Sequence, residues 1–348
     1  MTTYNLALIG FGGVNRALAQ LIDEDPARFS HLGFDLKVVA ITDLLMGSLV
    51  QPDGIAIGEV LALPRGATFE AFPGGSATAD NESVIRHDAV DIVAEATFTN
   101  PVDGEPAASH VRWALEAGKH VTTTNKGPIA LHGKVLKHLA EETGAHFAYE
   151  GSVLSGTPVL GLARDQFAGL TILGVQGILN GTSNYVLGRM EAGLSLNDAV
   201  AEAQAEGYAE ADPTADIGGS DVQLKVAILA NELLGADIAP EDVDTTGITD
   251  ITADHIINAA REGKRYKLIG TARRDENGKL TATVAPEAVP ADHPLANIPG
   301  ATNAVSFETD LLGTVTITGP GAGRIETAYA LITDIIAIHA HEKEKVNV

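Results

Sequence analysis

Short, β-prone apolar runs alternate with helical patterns through the first 150 residues of the chain. This alternation is typical of a parallel sheet flanked by helices. It predicts strands at residues 4–9, 36–42, 90–96, 120–124 and 146–149. Helices are predicted from a Gly-rich turn to about Ile22, at residues 105–117 and at residues 131–142. We therefore expect an α/β domain over residues 1–150.

The regular alternation of strands and helices ends after Glu150, where longer helical patterns separate isolated strands. Strands are predicted at residues 171–179, 279–284 and 313–318, and helices at residues 196–206, 220–234 and 323–339. A turn-rich segment covers residues 289–300. This pattern favours an α+β second domain at residues 151–310, followed by a C-terminal segment at residues 311–348.

The first strand leads into a glycine-rich turn that has the context of a dinucleotide-binding fingerprint. Gly10 permits the tight turn, Gly12 lets the backbone approach a pyrophosphate, and the helix N-terminus that follows suits negative charge. Asn15 stands where a glycine or alanine is usual, so we expect the helix to pack differently on the strand. The fold class predicted for the chain is thus α/β, with a Rossmann-like first domain. The turn residues expected to contact the cofactor are Gly10, Phe11, Gly12, Gly13, Val14 and Asn15.

Asp43 ends the second predicted strand, where an acidic side chain can accept hydrogen bonds from ribose hydroxyls. A turn or cap residue is the competing interpretation. No Lys or Arg occurs between Asp43 and Arg65, so a basic partner for a 2′-phosphate is not evident there. NAD is favoured slightly over NADP, although Lys37 or a more distant basic residue could reverse this.

Four acidic residues fall within a short Pro- and Gly-interrupted segment that leads into a helix near Ser220. On that helix Asp221 and Lys225 are four residues apart and share a face. The face borders an apolar stripe, and partial burial would lower the pKa of a lysine towards a range useful for acid–base chemistry. The competing interpretation is an ordinary exposed ion pair.

Composition narrows the possible functions. The 348-residue chain has a formal net charge of −23, which argues against nucleic acid as a partner. No apolar run is long enough to span a membrane, and the N-terminus does not resemble a signal peptide. The absence of cysteine fits a cytoplasmic protein. The acidity is consistent either with ordinary surface charge or with a salt-rich cell interior.

Four segments in order along the chain resemble homoserine dehydrogenases. They are Thr-Asn-Lys-Gly-Pro at residues 124–128, Gly-Ile-Leu-Asn-Gly-Thr-Ser-Asn-Tyr-Val-Leu at residues 177–187, Gly-Tyr-Ala-Glu-Ala-Asp-Pro-Thr-Ala-Asp at residues 207–216 with the helix up to Lys225, and Gly-Pro-Gly-Ala-Gly at residues 319–323. With the fingerprint, the resemblance extends from residue 6 to about residue 330. The chain is similar to a short form of this family that lacks a C-terminal regulatory domain.

The resemblance implies roles for individual residues. Lys225 is expected to act as general acid and base, Asp221 to orient it or the substrate hydroxyl, and Lys126 to lie between cofactor and substrate. The residues implied in substrate binding are Glu210, Asp216, Asp221, Tyr208, Gly181 and Thr182. Those implied in cofactor binding, besides the fingerprint and Asp43, are Thr97, Asn100, Lys126, Gly321 and Gly323.

The resemblance also implies a monovalent-cation loop at residues 150–158. Glu150, Val153, Ser155 and Thr157 are expected to offer oxygens, mainly backbone carbonyls, to a sodium-like ion. The histidines show no spacing typical of transition-metal ligands, so a transition metal is not expected.

The implied reaction is the reversible NAD(P)H-dependent reduction of L-aspartate 4-semialdehyde to L-homoserine, within threonine, methionine and isoleucine biosynthesis. The expected partner is a small molecule, and the expected assembly is a homodimer built partly through the second domain and the tail. The alternatives are another NAD(P)-dependent amino-acid dehydrogenase and a dinucleotide-binding sensor without catalysis. A sensor predicts a missing proton donor, whereas Lys126 and Lys225 are both present.

Overall fold

The structure, a computed structural model, describes residues 1–346 and divides into two units. The first comprises Met1–Ser152 and the segment from Gly323 onward, and the second comprises Val153–Ala322. No helix among the described residues is both long and apolar enough to cross a membrane.

The strands, in chain order, are β1 (Thr2–Ile9), β2 (Phe34–Asp43), β3 (Gly47–Val50), β4 (Gly75–Ser76), β5 (Ile92–Glu95), β6 (His120–Thr123), β7 (Phe147–Ala148), β8 (Ile172–Ile178), β9 (Asp244–Thr245), β10 (Lys264–Arg274), β11 (Leu280–Pro290), β12 (Thr302–Thr309) and β13 (Gly313–Pro320). The helices are α1 (Gly13–Glu24), α2 (Ile57–Leu61), α3 (Asn81–Ile85), α4 (Ala107–Glu116), α5 (Lys126–Thr143), α6 (Gly151–Leu154), α7 (Gly181–Glu191), α8 (Leu196–Ala205), α9 (Thr214–Ile217), α10 (Ser220–Leu234), α11 (Ala253–Arg261) and α12 (Arg324–Val346).

The first unit contains a seven-stranded sheet in the order β4-β3-β2-β1-β5-β6-β7. The five strands from β2 to β7 in this order pair in parallel, and β3 and β4 add an antiparallel edge. Strand β1 has β2 on one side and β5 on the other, so the direction of winding reverses there. Ligands of open α/β sheets bind at such a switch point, beside the carboxyl ends of the strands. The Rossmann-type fold predicted for this part of the chain is confirmed.

The core of the first unit explains why its strands are apolar. Leu6 and Leu8 of β1 are fully buried, as expected for a strand with helices on both faces. The C-terminal helix α12 packs against α1, and its Leu331 and Ile335 belong to the same apolar cluster as Leu18. Burial of each such side chain stabilises the fold by about 1.5–3 kcal/mol relative to exposure.

The second unit is built on a six-stranded sheet in the order β13-β12-β8-β10-β11-β9, antiparallel except for the β11–β9 pair. Helix α10 packs closely on this sheet at Gly270 of β10. A Cβ atom at Gly270 would lie 2.7 Å from a methyl carbon of Val226 and 2.8 Å from one of Val222. The glycine therefore allows the apolar stripe of α10 to approach the sheet, and this contact fixes the rotation of the helix that carries Lys225.

Some boundaries differ from those predicted. The C-terminal segment was expected from residue 311, but β13 pairs with β12 in the second sheet, and the first unit resumes only at Gly323. Helix α5 starts at Lys126, five residues before the predicted start, because Asn125 caps it by accepting a hydrogen bond from Gly127 N. Strands β10 and β12 and helix α7 were not predicted.

Candidate active site

The glycine turn after β1 has the shape that a bound dinucleotide requires. Gly10 adopts φ +78°, and a Cβ atom there would lie 2.8 Å from Thr97 Cγ2, so only glycine fits without strain. At Gly12, by contrast, a Cβ atom would meet nothing within 4 Å, which leaves open space in front of the backbone. Helix α1 follows with no side-chain cap at its N-terminus. Its first N–H groups are thus suited to a pyrophosphate, and the residues present fit this cofactor.

Asn15 explains how the irregular fingerprint is tolerated. Its buried side-chain amide donates hydrogen bonds to Ile9 O at 3.0 Å, Gly10 O at 3.1 Å and Ala94 O at 3.0 Å. The larger side chain therefore joins the ends of β1 and β5, where a glycine or alanine would have allowed only close packing.

Asp43 lies beside the same turn. One carboxylate oxygen accepts from Phe11 N at 3.0 Å and the other from Leu45 N at 2.9 Å. The carboxylate is only partly enclosed and keeps acceptor capacity for ribose hydroxyls. Arg16, which was not predicted as a partner for a 2′-phosphate, lies close by. Its guanidinium is 4.6 Å from the centre of the Phe11 ring and 3.1 Å from Met46 Sδ.

Three further residues predicted to bind the cofactor, Thr97, Asn100 and Lys126, follow β5 and β6. Thr97 donates to the Glu95 carboxylate through both its backbone N–H and its hydroxyl. The side chain of Asn100 is used within its own loop, where it donates to Asp103 at 2.7 Å and accepts from Val102 N at 2.9 Å. Lys126 is half-buried at the first position of α5.

Lys225 is the central side chain of the second unit's candidate site. It is 5% exposed, and its Nζ lies 2.8 Å from Asp221 Oδ2. The same ammonium donates to Leu179 O at 2.6 Å. The interpretation as an exposed surface ion pair is therefore wrong, because the apolar face of α10 turns the pair inward.

Asn180 joins the two carboxylates of this site, and the sequence analysis did not single it out. Its Nδ2 donates to Asp216 Oδ1 at 2.7 Å and to Asp221 Oδ2 at 3.0 Å. Its Oδ1 accepts from Ser183 N at 2.8 Å and so caps α7. An Asn directly before a helical segment is a cap signal. That signal could have predicted the helix, but not the two bonds to residues more than thirty positions away.

Burial changes the acidity of Asp216. Loss of water around the carboxyl raises its pKa above the usual value, against the hydrogen bond from Asn180, which lowers it. The negative charge of Asp221 adds to the rise, and the positive charge of Lys225 opposes it. A carboxylate in such a setting gains from a cationic partner, and an ammonium group on a substrate would supply one.

The other predicted substrate residues surround this cluster to different degrees. Thr182 donates through its hydroxyl to Tyr208 O at 2.5 Å, and the Tyr208 ring packs on Tyr185 with 4.7 Å between ring centres. Gly181 is needed for packing, since a Cβ atom there would lie 2.5 Å from Ala301 O. Glu210 is exposed in its loop.

The glycine loop and the predicted cation residues occupy both units. Gly321 belongs to the second unit, where a Cβ atom would collide with the side chain of Asn303, and Gly323 belongs to the first, with φ +131°.

The residues predicted to bind a monovalent cation, Glu150, Val153, Ser155 and Thr157, are all buried. Ser155 adopts φ 54°, a left-handed conformation uncommon for a non-glycine residue. Among the described residues, no group of His, Asp or Glu side chains has the arrangement of a metal site.

These two sets of residues can perform complementary chemistry. The first unit offers a glycine turn suited to a dinucleotide, with the Asp43 carboxylate beside it. The second offers a buried ammonium as a proton donor and a pair of carboxylates that suits a cationic substrate group. Such a combination is that of a dehydrogenase for a small amino-acid alcohol or aldehyde.

Comparison with known proteins agrees with this chemistry. Residues 10–150 match the family described as the NAD binding domain of homoserine dehydrogenase, and residues 158–336 match the family described as homoserine dehydrogenase. The NAD(+)-dependent homoserine dehydrogenase of Pseudomonas canavaninivorans is 57% identical, and the alignment covers 99% of each chain.

Solved structures give the same result. A homoserine dehydrogenase from Thiobacillus denitrificans superposes with a TM-score of 0.85 at 30% identity, covering 99% of this chain and 75% of that one. A hyperthermophilic archaeal homoserine dehydrogenase in complex with NADPH gives 0.83 at 28% identity, covering 97% and 98%. The chain belongs to the homoserine dehydrogenase family of NAD-binding oxidoreductases.

Proposed function

We propose that the protein interconverts L-aspartate 4-semialdehyde and L-homoserine, with Lys225 as the general acid and base. The observation that carries this proposal is the buried Lys225 ammonium, held by Asp221 and Leu179 O beside the carboxyl of Asp216. Asp221 and Asp216 share the amide of Asn180, so the proton donor and the substrate-binding acid belong to one hydrogen-bonded cluster.

The chemistry divides between the cofactor and the chain. When bound, the reduced nicotinamide supplies a hydride to the aldehyde carbon, and the oxidised form accepts one from the alcohol carbon. As the aldehyde carbon gains the hydride, the carbonyl π electrons move to oxygen, and that oxygen takes a proton from Lys225 Nζ. Asp221 then keeps the lysine in place until solvent returns the proton. In the reverse direction, neutral Lys225 removes the hydroxyl proton as hydride leaves.

Charged groups hold the substrate. Asp216 accepts the substrate ammonium, and Glu210 adds a second carboxylate from the exposed loop. Lys126 at the start of α5 attracts the substrate carboxylate and shares in the proton transfer. Tyr208, Gly181 and Thr182 line the pocket. Thr97, Asn100, Gly321 and Gly323 contact the cofactor together with the glycine turn.

The preferred cofactor is NAD. Asp43 is the supporting residue, because a carboxylate next to the ribose accepts hydrogen bonds from both hydroxyls and repels a 2′-phosphate. The name of the Pseudomonas relative points the same way, whereas the archaeal structure holds NADPH. Arg16 lies close to this turn and could support a phosphate, but its guanidinium is already engaged with the Phe11 ring and Met46.

Location, assembly, domain roles and a cation site also belong to this proposal. The protein acts as a cytoplasmic homodimer, with its first domain for the cofactor and its second for the substrate and the dimer contact. The carbonyls of Glu150, Val153, Ser155 and Thr157 hold a sodium ion. The family resemblance supports these assignments, and the absence of cysteine supports the cytoplasm.

The test follows nicotinamide absorbance with L-homoserine, using NAD and NADP in separate reactions. L-threonine and glycerol serve as comparison alcohols, since the first keeps an ammonium group and the second has none. We expect turnover with L-homoserine and a higher kcat/KM with NAD. Folded protein that turns over L-homoserine with neither cofactor would overturn the proposal.

A further inference from the structure

Glu95 is a fully buried carboxylate at the carboxyl end of β5, and the proposed mechanism does not use it. Burying a carboxylate is costly unless hydrogen bonds compensate for the lost water. Its position is also notable, because β5 is the strand whose end forms one side of the switch point in the first sheet.

The carboxylate binds the loop after its own strand and the end of the next strand. Oε1 accepts from Thr97 N at 3.0 Å and from the Thr97 hydroxyl. Oε2 accepts from Thr123 Oγ1 of β6 at 2.9 Å. Glu95 therefore fixes the segment that follows β5 and the end of β6.

Asn125 extends this connection to the start of α5. Its backbone N–H donates to Thr123 Oγ1 at 3.0 Å, and its Nδ2 donates to Phe98 O at 2.9 Å. Its Oδ1 accepts from Gly127 N at 3.0 Å and caps the helix that Lys126 begins. One network thus holds Thr97, which is proposed to lie at the nicotinamide, and the backbone of Lys126.

A second chain of hydrogen bonds connects β2 to Glu95 through Asn81 and His110. Thr42 Oγ1 of β2 donates to Asn81 Oδ1 at 2.8 Å, and Asn81 Nδ2 lies 2.7 Å from His110 Nε2. The other ring nitrogen of His110 is 3.4 Å from Glu95 Oε1. In this arrangement His110 accepts from Asn81 and directs its N–H at Glu95. Every described group within hydrogen-bonding distance of the carboxylate is thus a donor, which is the environment of an ionised carboxylate.

We propose that Glu95 is a positioning residue for the nicotinamide end of the cofactor site, and that its charge favours the oxidised cofactor. This inference rests on the proposed function, in which Thr97 contacts the nicotinamide. The oxidised ring carries a positive charge and the reduced ring carries none. The buried negative charge of Glu95, hydrogen-bonded to the contacting residue Thr97, is poorly screened and stabilises only the charged ring.

The experiment measures dissociation constants for NAD+ and NADH by calorimetry or by NADH fluorescence, in the wild type and in Glu95→Gln. The variant keeps the size of the side chain and removes its charge. We expect the Kd for NAD+ to rise about tenfold or more, as for loss of one nearby charge, and the Kd for NADH to rise several-fold less. Equal changes in both constants, or no change, would overturn the charge effect.

Glu82→Gln is the matched control, because Glu82 is an exposed glutamate of the same unit that pairs with Arg86. It should leave both constants unchanged. Thr97→Val and Thr123→Val keep the charge and each remove a hydroxyl bond to Glu95. We expect both to weaken binding of the two redox forms by similar factors. They also decide the positioning role if Glu95→Gln does not fold, and unchanged constants in both would overturn that role.

Binding also separates this inference from the proposed reaction. Wild-type protein that binds NAD+ without oxidising L-homoserine would refute the reaction while leaving the role of Glu95 measurable. Wild-type protein that binds neither form would overturn both.

Discussion

Lys225 Nζ and Asp221 Oδ2 lie 2.8 Å apart on successive turns of α10, in a pair whose side chains are only 7% and 17% exposed. An exposed pair with this spacing contributes about 0.3–0.5 kcal/mol, but a buried pair behaves differently. Removing one partner leaves a charge without compensation in a site from which water is largely excluded. The pair is therefore better suited to hold a proton donor in place than to stabilise the fold.

Replacing Asn15 by alanine, which is usual at this position of dinucleotide fingerprints, should destabilise the fold. Asn15→Ala removes the amide that donates to Ile9 O, Gly10 O and Ala94 O, and the bonds to Ile9 O and Ala94 O are buried. We expect a loss of roughly 1–3 kcal/mol in the free energy of unfolding, measured by urea denaturation. Gln20→Ala, on the exposed side of α1, is the control and should change stability little. A variant as stable as the wild type would show that the three bonds contribute nothing.

Asp43 should determine the choice of cofactor. In Asp43→Asn the side chain can still accept from Phe11 N, but it no longer carries the charge that repels a 2′-phosphate. We expect the KM for NAD to rise about tenfold and the KM for NADP to fall, since hydrogen bonds to charged groups contribute about 1.5–3 kcal/mol. Steady-state kinetics with each cofactor measures this. An unchanged ratio of the two KM values would remove Asp43 from the ribose site.

The raised pKa of Asp216 should appear in the pH dependence of substrate binding. Burial keeps the carboxyl protonated up to a higher pH than an ordinary aspartate, and the protonated form cannot pair with an ammonium. As the pH falls through this raised pKa, the KM for L-homoserine should increase. In Asp216→Asn the KM for L-homoserine should be high at every pH and should no longer increase as the pH falls. Asp250→Asn, at an exposed position, is the control and should keep the pH dependence of the wild type. If Asp216→Asn also keeps that pH dependence, Asp216 does not bind the substrate ammonium.

Lys267 should make stability depend on alkaline pH. It is 4% exposed and donates to Asn184 Oδ1 and Ile298 O, both at 2.8 Å. Burial lowers its pKa from 10.5 to about 8. In the unfolded chain the lysine keeps its proton to the higher value, so between these pH values the unfolded state binds more protons and stability rises with pH.

The comparison that isolates this effect is Lys267→Met against the wild type, by urea denaturation from pH 7 to pH 10.5. As the pH rises above 8, the free energy of unfolding of the wild type should increase by roughly 3 kcal/mol relative to that of the variant. Lys279→Met, at an exposed position, should show no such gain. Parallel curves for wild type and Lys267→Met would contradict the buried-lysine account.

The sequence predicts the first domain well because its strands are apolar runs with helices between them. It predicts the second domain less completely. Strand β10 begins Lys-Arg-Tyr-Lys, and helix α7 begins Gly-Thr-Ser-Asn, so local propensity favours neither element. Strand β10 forms through tertiary contacts, since it lies between β8 and β11. Helix α7 is stabilised locally by its Asn180 cap, a signal that its first helical residues do not carry.

The candidate site shows the same division. The spacing of Asp221 and Lys225 on one helix is readable in the sequence, since residues four apart share a face. Burial of the pair is not, because it depends on how closely α10 approaches Gly270. Asn180 and Glu95 could not be assigned either, since their partners come from other elements and become neighbours only in the folded chain.

The most direct test of the account is kcat with L-homoserine and NAD for Lys225→Ala, measured together with the Kd for NADH. If Lys225 transfers the proton, turnover should fall roughly 100-fold or more while the Kd stays at its wild-type value. The exposed Lys279→Ala should retain wild-type turnover. Unchanged turnover in Lys225→Ala would contradict the account and move the proton transfer to Lys126.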